Sequence, residues 1–187
     1  IHVNAHALAR YAALCQEQDI VPIVEPEVLM DGDHSIDVCE EVTDLVLDAV
    51  FAELSAQNIL LEGMVLKPNM VVSGKKCPQQ ASVDEVAERT VRVLRRRVPA
   101  AVPGIAFLSG GQSDVDATAH LDAMNRIGNL PWSLTFSYGR ALQAAALKAW
   151  GGKADNLAAA RAAHLHRASM NGLASKGEWT TQREKAA

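Results

Sequence analysis

Four short apolar runs, at residues 20–24, 59–66, 104–108 and 133–137, each lead through a loop into a segment of helical periodicity. That alternation constrains the fold more than any other feature. Strands that read as apolar on both faces are covered on both faces, so the runs are expected to be parallel strands in βα units repeating at about forty residues. Between them, the stripe Val38, Val42, Leu45, Val46, Ala49, Val50 and Leu54 predicts a helix over 37–57. Ser82-Val83-Asp84-Glu85 reads as a capping box ahead of Val86, Thr90, Val93 and Leu94, in a helix that stops at the turn of Pro99. Ser113 with Asp114 and Asp116 opens a third helix, and Arg140 begins a fourth that halts at Gly151-Gly152. Helices are also expected over 5–17 and 155–173. Residues 1–174 form one unit, and 175–187 are expected to be a polar, mobile tail.

With 187 residues, 49% of them apolar, there is material for one domain with a sizeable core. Doubly wound sheets and eight-fold barrels both fit the alternation. Chemistry at the C-terminal end of every strand favours the barrel, whose sites are assembled from several βα loops. The expected class is therefore α/β, a TIM (β/α)8 barrel of which this chain supplies about the last four βα units. A full barrel takes about 250 residues, and the opening at Ile1 inside a helical pattern agrees with truncation. Half a barrel has two unpaired sheet edges and an apolar inner face, so the chain is expected to require the N-terminal half or another copy beside it.

The formal net charge of −4 gives no general basic footprint. The single basic run, Arg92 with Arg95, Arg96 and Arg97, reads as a solvated helix C-terminus favoured by the macrodipole, so no nucleic-acid partner is expected. No apolar stretch reaches the length of a membrane span and no signal peptide opens the chain, so no membrane partner is expected. Cys15, Cys39 and Cys77 are odd in number and widely spaced, which points to a reducing compartment, the cytoplasm. His2 and His6 are read as an exposed helix face, and His164 and His166 diverge on theirs. No metal and no cofactor is expected.

The chemistry gathers where the strands end. Lys67 closes an apolar strand and Pro68 stops it, which places an amine at the mouth. Burial there disfavours the ammonium and favours the neutral amine that attacks a carbonyl. Glu25 and Glu27 follow the first strand and lean to one side, fit for proton transfer, although a proline-rich turn with two solvated carboxylates has the same sequence. Carboxylates beside Lys67 would oppose the burial argument, and no second cation stands out along the chain. The third strand ends in Ser109-Gly110-Gly111-Gln112-Ser113, where paired glycines bring backbone amides close to an anion. The fourth ends in Ser137-Tyr138-Gly139-Arg140 at a helix start, adding a guanidinium and free amides beside the Gly110 loop. An amine, a carboxylate pair and a double anion cradle describe a Schiff-base enzyme acting on a phosphorylated ketone or aldehyde.

The segments IVEPE at 23–27, LKPNM at 66–70, FLSGGQS at 107–113, LTFSYGRAL at 134–142 and KAWGG at 148–152 together resemble class I fructose-bisphosphate aldolase. The resemblance runs from about Asn4 to Gly177. It implies a homotetrameric barrel that cleaves fructose 1,6-bisphosphate to dihydroxyacetone phosphate and glyceraldehyde 3-phosphate, in glycolysis and gluconeogenesis. It also implies Lys67 as the Schiff-base lysine, Glu25 as the proton shuttle of imine formation and Glu27 as an orienting group. Ser109, Gly110, Gly139 and Arg140 would hold the phosphate of the dihydroxyacetone moiety, with Ser137 and Tyr138 lining that loop. The family takes an aspartate and further lysines from earlier strands, and many members end in a tyrosine where this chain ends Arg183-Glu184-Lys185-Ala186-Ala187. A transaldolase-like Schiff-base enzyme and a non-catalytic half-barrel module are the rival readings.

Overall fold

Each of the four apolar runs contributes a strand to the computed structural model, which describes residues 1–185. The strands are β1 (Ile23–Val24), β2 (Val65–Leu66), β3 (Gly104–Phe107) and β4 (Ser133–Phe136). They pair in parallel in the order β1-β2-β3-β4, with Val24 opposite Leu66, Leu66 opposite Ile105, and Phe107 opposite Phe136. Around them run α1 (His2–Gln16), α2 (Ile36–Ala56), α3 (Val83–Arg97), α4 (Asp114–Ile127), α5 (Arg140–Trp150), α6 (Leu157–Ala174) and a short α7 (Thr181–Lys185).

The two faces of this sheet differ, which corrects the expectation of strands apolar on both sides. Val24, Leu66, Ile105, Phe107 and Leu134 point into the helix layer and are buried. Their neighbours on the other face, Ile23, Val65, Gly104, Ala106, Ser133 and Thr135, are half-buried or exposed and in part small or polar. Burying Phe107, which is fully enclosed, contributes roughly 1.5–3 kcal/mol by removal of apolar area from water.

The first two runs shrink to short strands. Gln16, at the end of α1, accepts the Leu60 amide at 3.0 Å and donates to the Leu60 carbonyl at 2.8 Å. One side chain thus takes the place of a neighbouring strand, and a 3-10 turn over Leu61–Gly63 follows. Capping goes as the residues dictate at α2, α3 and α4, where Ser35, Ser82 and Ser113 each accept a first-turn amide. The box at Ser82 is only half closed, because the Glu85 carboxylate is taken by Arg89 Nε at 3.0 Å.

The basic run lies at the surface as expected, with Arg92, Arg95 and Arg96 exposed, but three of its four arginines are ion-paired. Arg92 pairs with Glu40 at 2.6 Å, Arg96 with Asp44 at 3.1 Å, and Arg97 with Asp44 and Asp48 at 2.6 Å each, while Arg89 joins Asp37 and Glu40. Acidic residues repeating along α2 meet arginines repeating along α3, and only the packing of the two helices creates the ladder. The guanidiniums hold the Glu40 and Asp44 carboxyls below the usual carboxylate range, Arg92 chiefly for the first and Arg97 for the second.

The tail expected to be mobile is docked. Trp179 is buried, its amide donates to Asp122 at 2.8 Å and its indole N–H to Glu184 at 2.9 Å. Glu184 receives a bidentate pair from the buried Arg167 at 2.6 and 2.7 Å. Residues 186 and 187 of that segment lie outside the described residues.

Candidate functional site

The hydrogen-bond ladder between strands continues past their ends, and this sets the order of groups around the mouth. Lys67 N donates to Val24 O at 2.7 Å, Leu108 N to Pro68 O at 3.1 Å, and Ser137 N to Phe107 O at 2.8 Å. Glu25, Lys67, Ser109 and the Ser137–Arg140 turn therefore stand side by side on adjacent strand ends. Because side chains alternate, Lys67 shares the open face with Val65, and Glu25 shares it with Ile23.

Lys67 does not run out to water: its side chain is 19% exposed, and its Nζ lies 3.0 Å from Glu25 Oε1, whose side chain is 45% exposed. The carboxylate is within proton-transfer distance of the amine. Asn69, two residues on, fixes the approach from behind. It is buried, its amide donates to Thr43 Oγ1 at 3.1 Å, and its Oδ1 accepts the Val28 amide at 3.0 Å, tying the Lys67 loop to the Glu25–Glu27 loop. Glu27 is exposed and makes no hydrogen bond or ion pair with Lys67 among the described residues. With Glu25 it borders a largely apolar hollow of about 650 Å³ between α1 and α2, lined by Leu8, Val46 and Val50.

The turn expected to hold an anion is built as its glycines require. Gly110 and Gly111 have φ of +60° and +96°, the left-handed region in which only glycine is unstrained. Ser109, 5% exposed, is anchored by its carbonyl, which accepts both the Gln112 amide at 3.0 Å and the Gln112 side-chain amide at 3.1 Å. His120 holds Gln112 in turn, its Nδ1 lying 2.6 Å from Gln112 Oε1. Burial pushes the His120 imidazole down to about 4, so it is neutral at ordinary pH.

Beside that turn, α5 starts without the serine cap that α2, α3 and α4 have. Its N-cap, Gly139, has no side chain to offer, and the first-turn amides of Arg140 and Ala141 meet no capping side chain. Arg140 is exposed and joins no ion pair among the described residues. Uncapped amides, beside a guanidinium with no ion-pair partner among the described residues, are groups of the kind that can receive an anion. Tyr138 contributes to this rim through its backbone alone. Its ring packs against Phe136 and its hydroxyl donates to Ala117 O at 2.9 Å, deep in the helix layer, where burial pushes the phenol far above its usual range. The side chain thus faces away from the loop that the resemblance has Ser137 and Tyr138 lining, and only the backbone of Tyr138 stands there.

Lys75 and Asp31 were not found by sequence reasoning. Lys75 Nζ pairs with Asp31 at 2.9 Å, and a methyl placed on Gly111 would collide with the end of the Lys75 side chain and lie 3.4 Å from Arg140 Nη2. The only local signal was Gly74-Lys75-Lys76 in the loop after Lys67. His6 Nδ1 is engaged by Glu53 at 3.0 Å, and no group of three or more His, Cys, Asp or Glu among the described residues could hold a metal ion. No helix among them is long and apolar enough to cross a membrane.

The family model described as fructose-bisphosphate aldolase class-I matches residues 1–187. A probable fructose-bisphosphate aldolase class 1 of Xanthomonas campestris pv. campestris is 59% identical over 96% of this chain and 54% of its own length. The fructose-bisphosphate aldolase of Dictyostelium discoideum is 56% identical over 95% of this chain and 50% of its own. Among solved structures, Plasmodium falciparum fructose-bisphosphate aldolase, in complex with TRAP and a small molecule inhibitor, superposes with a TM-score of 0.94 at 52% identity, over 96% of this chain and 52% of that one. The chain spans about half the length of the relatives it matches, and the four parallel βα units are correspondingly part of a TIM barrel. A lysine and a glutamate at adjacent strand ends, followed around the rim by a double-glycine turn and an uncapped helix, sit on a chain 96% of which superposes on an aldolase; it belongs to the class I fructose-bisphosphate aldolase family.

Proposed function

We propose that this chain carries the imine-forming half of a class I fructose-bisphosphate aldolase active site, and that the whole polypeptide reversibly cleaves fructose 1,6-bisphosphate to dihydroxyacetone phosphate and glyceraldehyde 3-phosphate. The observation that carries the reading is the Lys67 amine, largely enclosed and 3.0 Å from Glu25, one strand away from the Ser109–Gly111 turn. The neutral amine of Lys67 adds to the C2 carbonyl of the ketose, forming a carbinolamine. Glu25, having taken the proton that the Lys67 ammonium loses in becoming that neutral amine, returns it to the carbinolamine hydroxyl, so water leaves and an iminium remains. That iminium accepts the electron pair of the C3–C4 bond as the bond breaks. The base that removes the C4 hydroxyl proton is the aspartate the family supplies from an earlier strand.

The phosphate on the dihydroxyacetone side rests on the Ser109 and Gly110 turn, the Gly139 and Arg140 helix start, and the Ser137 backbone that joins β3 to β4. Glu27 borders the Glu25 side and orients the lysine through the loop both glutamates share. No metal or organic cofactor takes part. The intact enzyme works as a homotetramer in the cytoplasm, in glycolysis and gluconeogenesis. Borohydride reduction in the presence of dihydroxyacetone phosphate is expected to fix one substrate carbon skeleton to the peptide containing Lys67. Labelling of any other lysine, or of none, would end this reading.

A further inference from the structure

The loop carrying Lys75 is stapled to the loop that follows β1. Gly74 N donates to His34 O at 2.9 Å, Lys75 N to Met30 O at 2.8 Å, and Lys76 N to Gly32 O at 2.7 Å. A Cβ on Gly74 would stand 2.5 Å from Gly32 O, so glycine is what allows the two loops to close. With bonded amides at 74, 75 and 76, the Lys75 backbone is held in place, and its side chain crosses to the Gly111 turn. There it shares its surroundings with Arg140, which comes from a third loop. Two cations thus converge on one anion-accepting turn. The single carboxylate among them is Asp31, held below its usual range chiefly by the Lys75 hydrogen bond and charge, then by Arg140 and Lys76.

One carboxylate neutralises only one of these charges, and Asp31 is itself exposed. A phosphate monoester, with close to two negative charges and three acceptor oxygens, matches what is left over. We propose that Lys75 is a phosphate-binding residue of this site, and that Asp31 is the counterion it leaves when the sugar phosphate arrives. Its side chain is 37% exposed, so the ammonium has room to turn from Asp31 toward the Gly110–Gly111 amides. Affinity for the phosphate then depends on a competition between Asp31 and substrate for one amine. The inference rests on the aldolase reading above.

The test uses the full polypeptide, with steady-state cleavage of fructose 1,6-bisphosphate and competition by inorganic phosphate. Lys75→Met is expected to raise KM and the inhibition constant of phosphate about tenfold, the worth of one charge-assisted hydrogen bond, while kcat stays within about twofold because Lys75 does not touch the reacting carbonyl. Lys75→Arg is expected to restore most of the affinity. Asp31→Asn, which frees the amine, is expected to lower both constants about threefold. Unchanged constants in Lys75→Met, while Arg140→Ala raises them, would overturn the role of Lys75. An increase in Lys75→Met that Lys75→Arg does not relieve, accompanied by a lowered melting midpoint, would mark a structural effect and also overturn it. Failure of borohydride to label Lys67 in the parent protein would instead overturn the aldolase reading, whatever Lys75→Met does.

Discussion

The two faces of the sheet obey different rules. On the helix side, Val24, Leu66, Ile105, Phe107 and Leu134 are packed out of water, and the partners they need lie within these residues. On the open side, Lys67 and Glu25 stand among Gly104, Ala106, Ser133 and Thr135, where small and polar groups leave room for a substrate. The first face makes the fold and the second carries the proposed site. Stability and chemistry are therefore assigned to alternate residues of the same strands, and substitution one position along should exchange one effect for the other.

The largest effect expected from breaking that separation is at Lys67. Lys67→Met in the full polypeptide should lower kcat/KM by more than about a thousandfold, since no other amine of the described residues stands at that strand end. Its melting midpoint should stay near that of the parent, and a large fall would show that the Lys67–Glu25 pair also contributes to stability. On the opposite face, Phe107→Ala should cost about 3–5 kcal/mol in chemical denaturation, by lost transfer energy and the cavity left behind. Activity should survive only in whatever fraction remains folded.

The docked tail sharpens the same contrast, because its anchor also lies on the helix side. Burial alone would push the Glu184 carboxyl up, yet Arg167, the Trp179 indole and His166 hold it down to about 2. A folded value below the unfolded 4.5 means that its contribution is complete above about 4.5 and is lost as the pH falls toward 2. Glu184→Ala should remove about 2–4 kcal/mol at neutral pH, since it leaves the Arg167 guanidinium buried without its bidentate partner. Urea melts at neutral pH and at pH 3 would measure both effects.

His120 connects the two faces, lying in α4 yet holding Gln112 in the anion turn. Its folded value of about 4 lies below the unfolded 6.5, so it favours the folded state fully above 6.5 and that advantage is lost as the pH falls toward 4. The loss is on the order of 3 kcal/mol, and His120→Asn should flatten the melting profile across that window. A profile unchanged by the substitution would assign the acid sensitivity elsewhere. The smallest effect is expected at Tyr138. Tyr138→Phe should lose about 1 kcal/mol with its hydrogen bond to Ala117 O and leave phosphate inhibition unchanged; weakened phosphate inhibition would place its hydroxyl at the rim after all.

What could be read from the chain by itself was whatever local geometry enforces. Pro68 ends a strand wherever it lies, Gly110 and Gly111 permit a left-handed turn, and Ser82 and Ser113 cap the helices they precede, so the strand ends, the turn and the helix starts were legible. The order of the mouth followed from them, because parallel βα units bring successive strand ends together. Contacts between residues distant in sequence could not be read that way. The Gln16 side chain replaces a strand beside Leu60, acidic residues of α2 disarm the basic run of α3, and Glu184 finds Arg167, each by packing of separate elements. Tyr138 and Lys75 show the same division most plainly. A tyrosine in a phosphate-loop motif turned inward because its ring found apolar company, whereas a loop lysine with no motif reached the anion turn because two loops were stapled by their backbones. Sequence fixes which way a short segment bends, through sterics acting over a few residues; which charge meets which is settled only when whole elements pack.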